Sequence, residues 1–281
     1  MIENDFIIHR ILKEIYSSPY LAKNYLFKGG SCLVKCYFSY YRFSVDLDLT
    51  WKEHETRESL KKKELRRKLL KEVDFLGSFL EKLCIKINLE FRNDMKNNKH
   101  IEFGGGGRMV TFKLWKNSEL IKIQANFVEE ILFPPKKAVA KTLLNGTKLS
   151  EDEINYFRDF LDFYNPLKVL AYDEREILCE KARAILTRRA QKLRDFYDLF
   201  MLDKLGFKAE RLKEEIVKKT KACLRYKKYR ENLERNRQSV RVKEALEDTF
   251  ERSLFVTKPS KDFDLFLEKL VDTLKDTMNS I

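Results

Sequence analysis

Two short stretches decide the fold: Lys28-Gly-Gly-Ser-Cys-Leu33 and, ten residues further on, Phe43-Ser-Val-Asp-Leu-Asp-Leu49. The first continues the apolar run Tyr25–Lys28 and predicts a strand that turns at a glycine pair into a helix. Gly29 and Gly30 allow backbone amides to approach a phosphate closely. Ser31 and the start of the following helix supply hydrogen-bond donors and a favourable dipole for the same phosphate.

The second stretch predicts a strand with one polar and one apolar face. Ser44, Asp46 and Asp48 share the polar face, because side chains alternate along a strand. The other face is expected to enter the core with Phe43, Val45, Leu47 and Leu49. Two carboxylates at this spacing are able to hold Mg²⁺ ions that bridge phosphates and activate a hydroxyl. Alone, a glycine pair is usually a turn and Asp-x-Asp a solvated face; together they indicate a nucleotide site.

Composition excludes several classes of protein. The 281 residues, 43% of them hydrophobic, suffice for one large domain or two smaller ones. No apolar run is long enough to span a membrane. Five scattered cysteines without a Cys-x-x-Cys pair predict reduced thiols in the cytoplasm rather than disulfides or structural zinc. Three well-separated histidines give little support to zinc-protease or Ser-His-Asp chemistry.

Positive charge is concentrated in one region. The net charge is +13, and residues 204–243 contain 15 basic against 5 acidic residues. A smaller basic cluster lies between residues 57 and 71. Basic surfaces attract polyanions. Tyr226 and Tyr229 are interleaved with cations, a pattern that suits nucleic acid; the cations are Arg225, Lys227, Lys228 and Arg230. The alternative is a solvated helix face in a protein rich in Lys and Glu.

The hydrophobic pattern changes along the chain. The α/β pattern ends at Pro134-Pro135. We predict an α/β domain over residues 1–148 and a helical domain over residues 149–281. The predicted elements are helices at Ile7–Ile15, Leu33–Tyr37 and Glu55–Leu83, strands at Tyr25–Lys28, Arg42–Trp51, Ile85–Phe91, Met109–Trp115 and Leu120–Phe127, and helices from about Glu151 to Met278. Gly104–Gly107 is interpreted as a hairpin loop, with phosphate binding as the lesser alternative.

Four motifs in order carry a resemblance to a known family. They are the turn Gly29–Ser31, the strand motif Arg42-x-Ser-x-Asp-x-Asp48, the pair Glu180-Lys181, and Arg194-Asp-x-Tyr-Asp198. Together they resemble the AbiEii toxin family of nucleotidyltransferases, which belongs to the polymerase-β-like superfamily and includes abortive-infection and MenT-type toxins. The motifs extend over roughly two-thirds of the chain. No family motif is recognised in the basic C-terminal third.

The resemblance implies an α+β fold and a set of site residues. A mixed sheet with flanking helices is expected, followed by a helical domain that contributes to the active-site cleft. Ser44 and Asp46 fall on the nucleotide- and metal-binding strand, with Asp48 as a second metal ligand. Lys181 falls on the lysine that contacts the triphosphate, and Asp195 on the aspartate that completes the site. Asp195 follows Lys181 by 14 residues, about four helical turns, so both can face one cleft in a single helix or across a short break around Gln191. The alternative interpretation is that Lys181 and the pair Arg194-Asp195 form ordinary charge pairs on solvated helix surfaces.

The resemblance also implies a third acidic residue on a later strand. In the candidate strand Ile121–Phe127, Gln124 occupies that position. A glutamine amide binds Mg²⁺ weakly and adds no negative charge. Three explanations stay open: two carboxylates suffice, which we favour; Glu129 or Glu130 substitutes; or catalysis is weakened.

The implied activity is Mg²⁺-dependent transfer of a nucleoside monophosphate from an NTP to an acceptor hydroxyl. The family and the basic C-terminal region point to RNA, in particular the tRNA 3′ end. The implied role is that of a toxin neutralised by a separately encoded antitoxin. One alternative is a fold that has lost catalysis and binds RNA or protein. Another is a small-molecule nucleotidyltransferase, which the basic region disfavours because a cationic drug needs an acidic pocket.

Overall fold

The computed structural model describes residues 2–44, 46–52, 62–104, 109–158, 161, 165–238, 240, 242–256 and 259–281. Val45, the start of the helix predicted at Glu55–Leu83, and Gly105–Gly107 lie outside these ranges. The chain forms two compact units. The first comprises Met1–Ser39, Ser44–Glu129 and Pro135–Ala171, and the second comprises Tyr40–Phe43, Glu130–Pro134 and Tyr172–Ile281.

The first unit is built on a seven-stranded mixed sheet. Its strands are β1 (Tyr25–Lys28), β2 (Asp46–Trp51), β3 (Ile101–Gly104), β4 (Met109–Lys116), β5 (Glu119–Asn126), β6 (Lys136–Ala140) and β7 (Leu167–Ala171). They are ordered β3-β4-β5-β2-β1-β7-β6. The pairs β2–β5 and β1–β7 are parallel and the others antiparallel. This mixed sheet with helices confirms the predicted α+β class.

Within the described ranges, the helices of the first unit are α1 (Ile2–Ser17), α2 (Pro19–Asn24), α3 (Gly29–Cys32), α4 (Lys62–Lys86) and α5 (Glu151–Tyr156). The helix predicted at Leu33–Tyr37 is present as a π-helical turn that continues α3. The stripe predicted at Ile7–Ile15 is the buried face of α1. No helix in the described ranges has the length and apolar character needed to cross a membrane.

The alternation of side chains gives the sheet one apolar face. Ile101, Phe112, Ile123 and Leu47 lie opposite one another on four adjacent strands and are fully buried. Removing such a row from water is the main favourable term in folding. Because the neighbours of these residues along each strand face the other way, the polar residues of β2 and β5 are brought together on the opposite face.

The second unit is helical. It contains α6 (Glu174–Thr187), α7 (Leu193–Lys204), α8 (Lys213–Cys223), α9 (Lys227–Gln238), α10 (Val242–Glu247), α11 (Thr249–Ser253) and α12 (Asp262–Asn279), with a 3₁₀ turn at Ala209–Leu212. Helix α6 lies at its centre and contacts α7, α8, α9 and α12. Asp173 caps its first turn by accepting a hydrogen bond from the Arg175 amide.

Three secondary-structure predictions were wrong. The strand predicted at Arg42–Trp51 is shorter, since β2 comprises Asp46–Trp51 and Arg42 forms an isolated bridge to Phe255. The segment Ile85–Phe91 is not a strand, because α4 continues to Lys86 and Asn88 then turns the chain at a φ of 54°. Only Glu90 pairs with a strand, through an isolated bridge to Trp115. The region after residue 151 is not wholly helical either, since β7 lies within it. A short buried apolar run does not reveal from periodicity whether it forms a strand or a helix.

The structure describes only the first residue of the glycine run Gly104–Gly107. Strands β3 and β4 pair up to Gly104 and Met109, as a hairpin connection requires.

The predicted boundary after residue 148 lies inside the first unit, because β7 joins the sheet beside β1. A division of function at residue 148 stays a prediction.

Candidate functional site

The glycine turn lies directly against Asp48. Gly29 has a φ of +74°, which residues with a side chain rarely adopt. A Cβ atom at this position would lie 2.3 Å from Asp48 Oδ2. Lys28, the residue before the turn, is the register partner of Asp48 on β2. The backbone of the turn and the Asp48 carboxylate therefore border the same space.

A methyl group at Gly29 is expected to disturb this arrangement. In Gly29→Ala the left-handed backbone costs roughly 1–2 kcal/mol, and the new Cβ displaces the Asp48 carboxylate. Gly146→Ala is the matched control, because Gly146 also has a positive φ (83°) but nothing lies within 4 Å of its Cβ position. Thermal unfolding measures the first effect, and the nucleotide transfer that the sequence resemblance implies measures the second. Both variants should lose stability, but only Gly29→Ala should lose activity; equal activities would contradict the account.

Two serines attach the turn to β2. The Ser31 hydroxyl donates a hydrogen bond to the carbonyl oxygen of Asp46, and the hydroxyls of Ser31 and Ser44 hydrogen-bond to each other. Both side chains are buried. The two hydroxyls hold the turn beside the strand that carries the aspartates. Their predicted role as phosphate donors stays a prediction.

The aspartates of β2 occupy one face of the strand. Asp46 and Asp48 are half-buried, whereas Leu47 and Leu49 between and after them are fully buried. A carboxylate pair on the more exposed side of a sheet fits Mg²⁺, which proteins hold with one or two carboxylates while substrate phosphates and water complete the coordination. Among the described residues, no group of three His, Cys, Asp or Glu is arranged to hold a metal.

Gln124 lies next to the aspartates, where the third acidic residue was expected. It is the register partner of Asp48 on the parallel strand β5, and its amide donates to the Thr111 hydroxyl at 3.4 Å. Of the two candidate substitutes, Glu129 belongs to the first unit. It is buried, accepts a hydrogen bond from the Asn126 amide at 2.7 Å and lies 3.6 Å from the Lys28 ammonium group.

The other candidate substitute, Glu130, belongs to the second unit. Its carboxylate lies 3.4 Å from the exposed ammonium group of Lys218 on α8. Its backbone carbonyl accepts a hydrogen bond from Lys219 at 2.9 Å. These contacts are typical of a residue that anchors its segment to α8.

A charge cluster with two buried carboxylates joins α6 and α7 in the second unit. The Lys181 ammonium group lies 2.6 Å from Asp195 Oδ1 and 2.7 Å from Asp198 Oδ2. Arg42 donates to both oxygens of Asp198 at 2.7 Å, and Arg188 donates to Asp195. We call these five residues the Asp198 cluster. Its three cations and two carboxylates leave one net positive charge.

The cluster keeps its carboxylates ionised. Burial alone would raise the pKa of Asp195, but Lys181 and Arg188 outweigh it, and the pKa lies well below the ordinary value. The pKa of Asp198 is also lowered, because Arg42 and Lys181 outweigh its burial. A carboxylate with so low a pKa is a poor proton acceptor at neutral pH. An aspartate that completes such a site acts either as a general base or as an orienting group, and the low pKa favours orientation of Lys181 by Asp195.

Comparison with known families decides the identity. The model of the family described as "Nucleotidyl transferase AbiEii toxin, Type IV TA system" matches residues 10–276. The chain belongs to the AbiEii family. It is a nucleotidyltransferase of a toxin–antitoxin type, and the family implies an antitoxin partner and a nucleotide substrate. The AbiEii match includes the basic C-terminal third, in which the sequence revealed no family motif.

The crystal structure of JHP933 from Helicobacter pylori is similar to this AbiEii chain, with 13% sequence identity and a TM-score of 0.42, over 99% of this chain and 94% of that chain. Comparison with the curated proteins gives no match.

The sequence alone predicted no role for Tyr41, Arg42 and Asp198, which lie in or next to the AbiEii motifs. Arg42 and Asp198 were quoted within the motifs, but nothing in the sequence showed that they pair with each other. The Tyr41 hydroxyl also donates to Asp198, at 2.7 Å. The available signal was weak: an arginine and a tyrosine just before the aspartate strand, and an aspartate three residues after Asp195.

The basic stretch of this AbiEii protein lies around the start of α9. The side chains of Arg225, Lys227, Lys228 and Arg230 are exposed, and the Arg225 guanidinium lies 5.2 Å from the Tyr226 ring centre. The other side of α9 is buried against α6, where the Asn236 amide donates to the carbonyl oxygens of Leu186 and Arg188 at 2.9 Å. Helix α9 therefore presents its cations on the side away from α6.

Proposed function

We propose that this AbiEii protein transfers a nucleoside monophosphate from an NTP to RNA in a Mg²⁺-dependent reaction, and that the acceptor is the 3′ end of tRNA. The observation that carries the proposal is the close approach of the Asp48 carboxylate to the Gly29 turn. A nucleotidyltransferase needs a cation ligand and a phosphate-binding backbone at the same point. Only glycine allows the two to lie as close as they do here.

The site residues of the first unit have the following proposed roles. Asp46 and Asp48 would hold Mg²⁺, which when bound neutralises phosphate charge and activates the attacking hydroxyl. The amides of Gly29 and Gly30 bind the phosphates. Ser31 fixes the turn beside β2. Catalysis then comes mainly from positioning and from electrostatic stabilisation of the transferring group.

In the second unit we assign Lys181 to the triphosphate and Asp195 to the orientation of Lys181. The assignment of Lys181 rests on the family resemblance. It is supported by the geometry of the Asp198 cluster, which fixes the ammonium group between two carboxylates. The net positive charge of the cluster suits a polyphosphate.

The exposed cations around α9 are proposed to bind RNA phosphates. The triple variant Lys227→Ala, Lys228→Ala, Arg230→Ala should weaken RNA binding and reduce the slope of log K against log salt by about three, one for each lost phosphate contact. The control replaces three other exposed lysines, Lys261, Lys269 and Lys275, and removes the same charge. Fluorescence titration at several salt concentrations measures both. Equal losses in the two triple variants would contradict a defined RNA surface.

The acceptor is tested by chemical modification of the RNA. Periodate destroys the 3′-terminal diol of tRNA and leaves the rest of the molecule intact. Labelled NTPs are incubated with intact or periodate-treated tRNA. The proposal expects transfer to intact tRNA alone; label in both samples, or in neither, would exclude the 3′ hydroxyl. A cytoplasmic location fits an RNA substrate and the five free cysteines.

A further inference from the structure

The polar face of the sheet carries three lysines around the aspartate pair. Lys113 on β4, Lys122 on β5 and Asp46 on β2 lie in one row across adjacent strands. Lys28 on β1 is the register partner of Asp48 in the next row. Because register partners share a face, the lysines and the aspartates lie on the same side of the sheet.

Two of these lysines are balanced by carboxylates outside the aspartate pair. The Lys113 ammonium group lies 2.5 Å from Glu102 Oε2. The Lys28 ammonium group lies 3.6 Å from Glu129 Oε2. The pKa of Glu102 is lowered mainly by its hydrogen bond and charge interaction with Lys113, and Lys122 has a smaller effect. Lys113 and Lys28 therefore have structural partners.

Lys122 differs because its register partner on β2 is Asp46 itself. Its side chain is half-buried, so it does not extend freely into water. Two residues later on the same strand, Gln124 takes the place of an acidic residue beside Asp48. This stretch of β5 thus presents a cation and a neutral amide to the aspartate pair. Strand β5 therefore presents a neutral amide at the position of the third carboxylate and adds a positive charge two residues earlier, beside Asp46.

We propose that Lys122 binds the triphosphate of the NTP directly, beside Asp46, as a second lysine contact in addition to the one assigned to Lys181. The inference rests on the proposed function. A bound triphosphate brings several negative charges to the aspartate pair, and an ammonium group one strand away compensates for them. Hydrogen bonds between charged groups contribute more than neutral ones and grow stronger in a partly desolvated site.

The test measures binding of a non-hydrolysable α,β-methylene NTP analogue in the presence of Mg²⁺, so it does not depend on turnover. Lys122→Gln should weaken binding by about tenfold or more. Lys122→Arg keeps the charge and should stay within about threefold of the unmodified protein. Lys137→Gln is the matched control, because Lys137 is exposed on the edge strand β6 of the same sheet, and it should leave binding unchanged.

The outcomes separate this inference from the function on which it rests. Binding that is as tight in Lys122→Gln as in the unmodified protein would overturn the role of Lys122 alone. Equal losses in Lys122→Gln and Lys137→Gln would also overturn it, since general charge would then explain the effect. No binding of any analogue by the unmodified protein would overturn the nucleotide site, and with it both proposals.

Discussion

Asp46→Asn is expected to lower the rate of nucleotide transfer by a factor of about 10² to 10³, while the protein keeps its fold. Asparagine has nearly the same size as aspartate and fits a half-buried strand position. It carries no charge, and its amide is a poor ligand for Mg²⁺. Asp48→Asn should have a similar effect, because its carboxylate borders the Gly29 turn. Initial rates with saturating NTP and RNA measure the loss.

The control for these variants is Asp152→Asn. Asp152 is exposed in the first turn of α5, so the same chemical change there should leave the rate unaltered. Circular dichroism spectra of all variants should coincide. If Asp46→Asn retained the full rate, the carboxylate pair would have no part in catalysis.

Asp198→Ala is expected to destabilise the second unit by about 3–5 kcal/mol, the typical cost of breaking a buried ion pair. The Arg42 guanidinium is almost fully buried and donates to both oxygens of Asp198. Without the carboxylate, Arg42 and the Tyr41 hydroxyl would lose their shared acceptor. Net stabilities of proteins are only about 5–15 kcal/mol, so this loss is a large fraction of the total. Urea unfolding measures it.

Two further variants show that the effect comes from an unpaired buried charge. The double variant Arg42→Met, Asp198→Leu removes both charges and replaces them with apolar side chains, so it should recover most of the lost stability. Lys227→Ala removes the exposed pair with Glu231 and should leave the unfolding midpoint unchanged. A double variant as unstable as Asp198→Ala would show that packing, rather than charge, accounts for the loss.

Local patterns predicted the part of the site that is local in sequence. The turn at Gly29 and the alternation around Asp46 and Asp48 follow from glycine chemistry and the two-residue period of a strand. The same reasoning failed at Ile85–Phe91, which alternates but whose first two residues end α4. There the buried residues Leu80, Leu83 and Cys84 continue the helical spacing up to the end of α4. Tertiary packing thus overrode a local strand pattern.

The long-range contacts of the site were beyond prediction from one sequence. Arg42 and Asp198 are 156 residues apart, and no local period connects them. The register that places Lys122 beside Asp46 depends on β5 pairing with β2 across a crossover, and β7 joins the sheet from within a region of helical pattern. The motifs indicated candidate site residues, whereas the structure showed which of these residues are in contact.

The most direct test of the account compares two positions of the label. Each NTP is supplied with ³²P at either the α- or the γ-phosphate, together with Mg²⁺, total tRNA and purified protein, and the Asp46→Asn protein serves as the blank. Nucleotide transfer predicts that α-label enters the RNA, that γ-label leaves as pyrophosphate, and that the blank transfers neither. Incorporation of γ-label, or no incorporation of α-label from any NTP, would contradict the central claim.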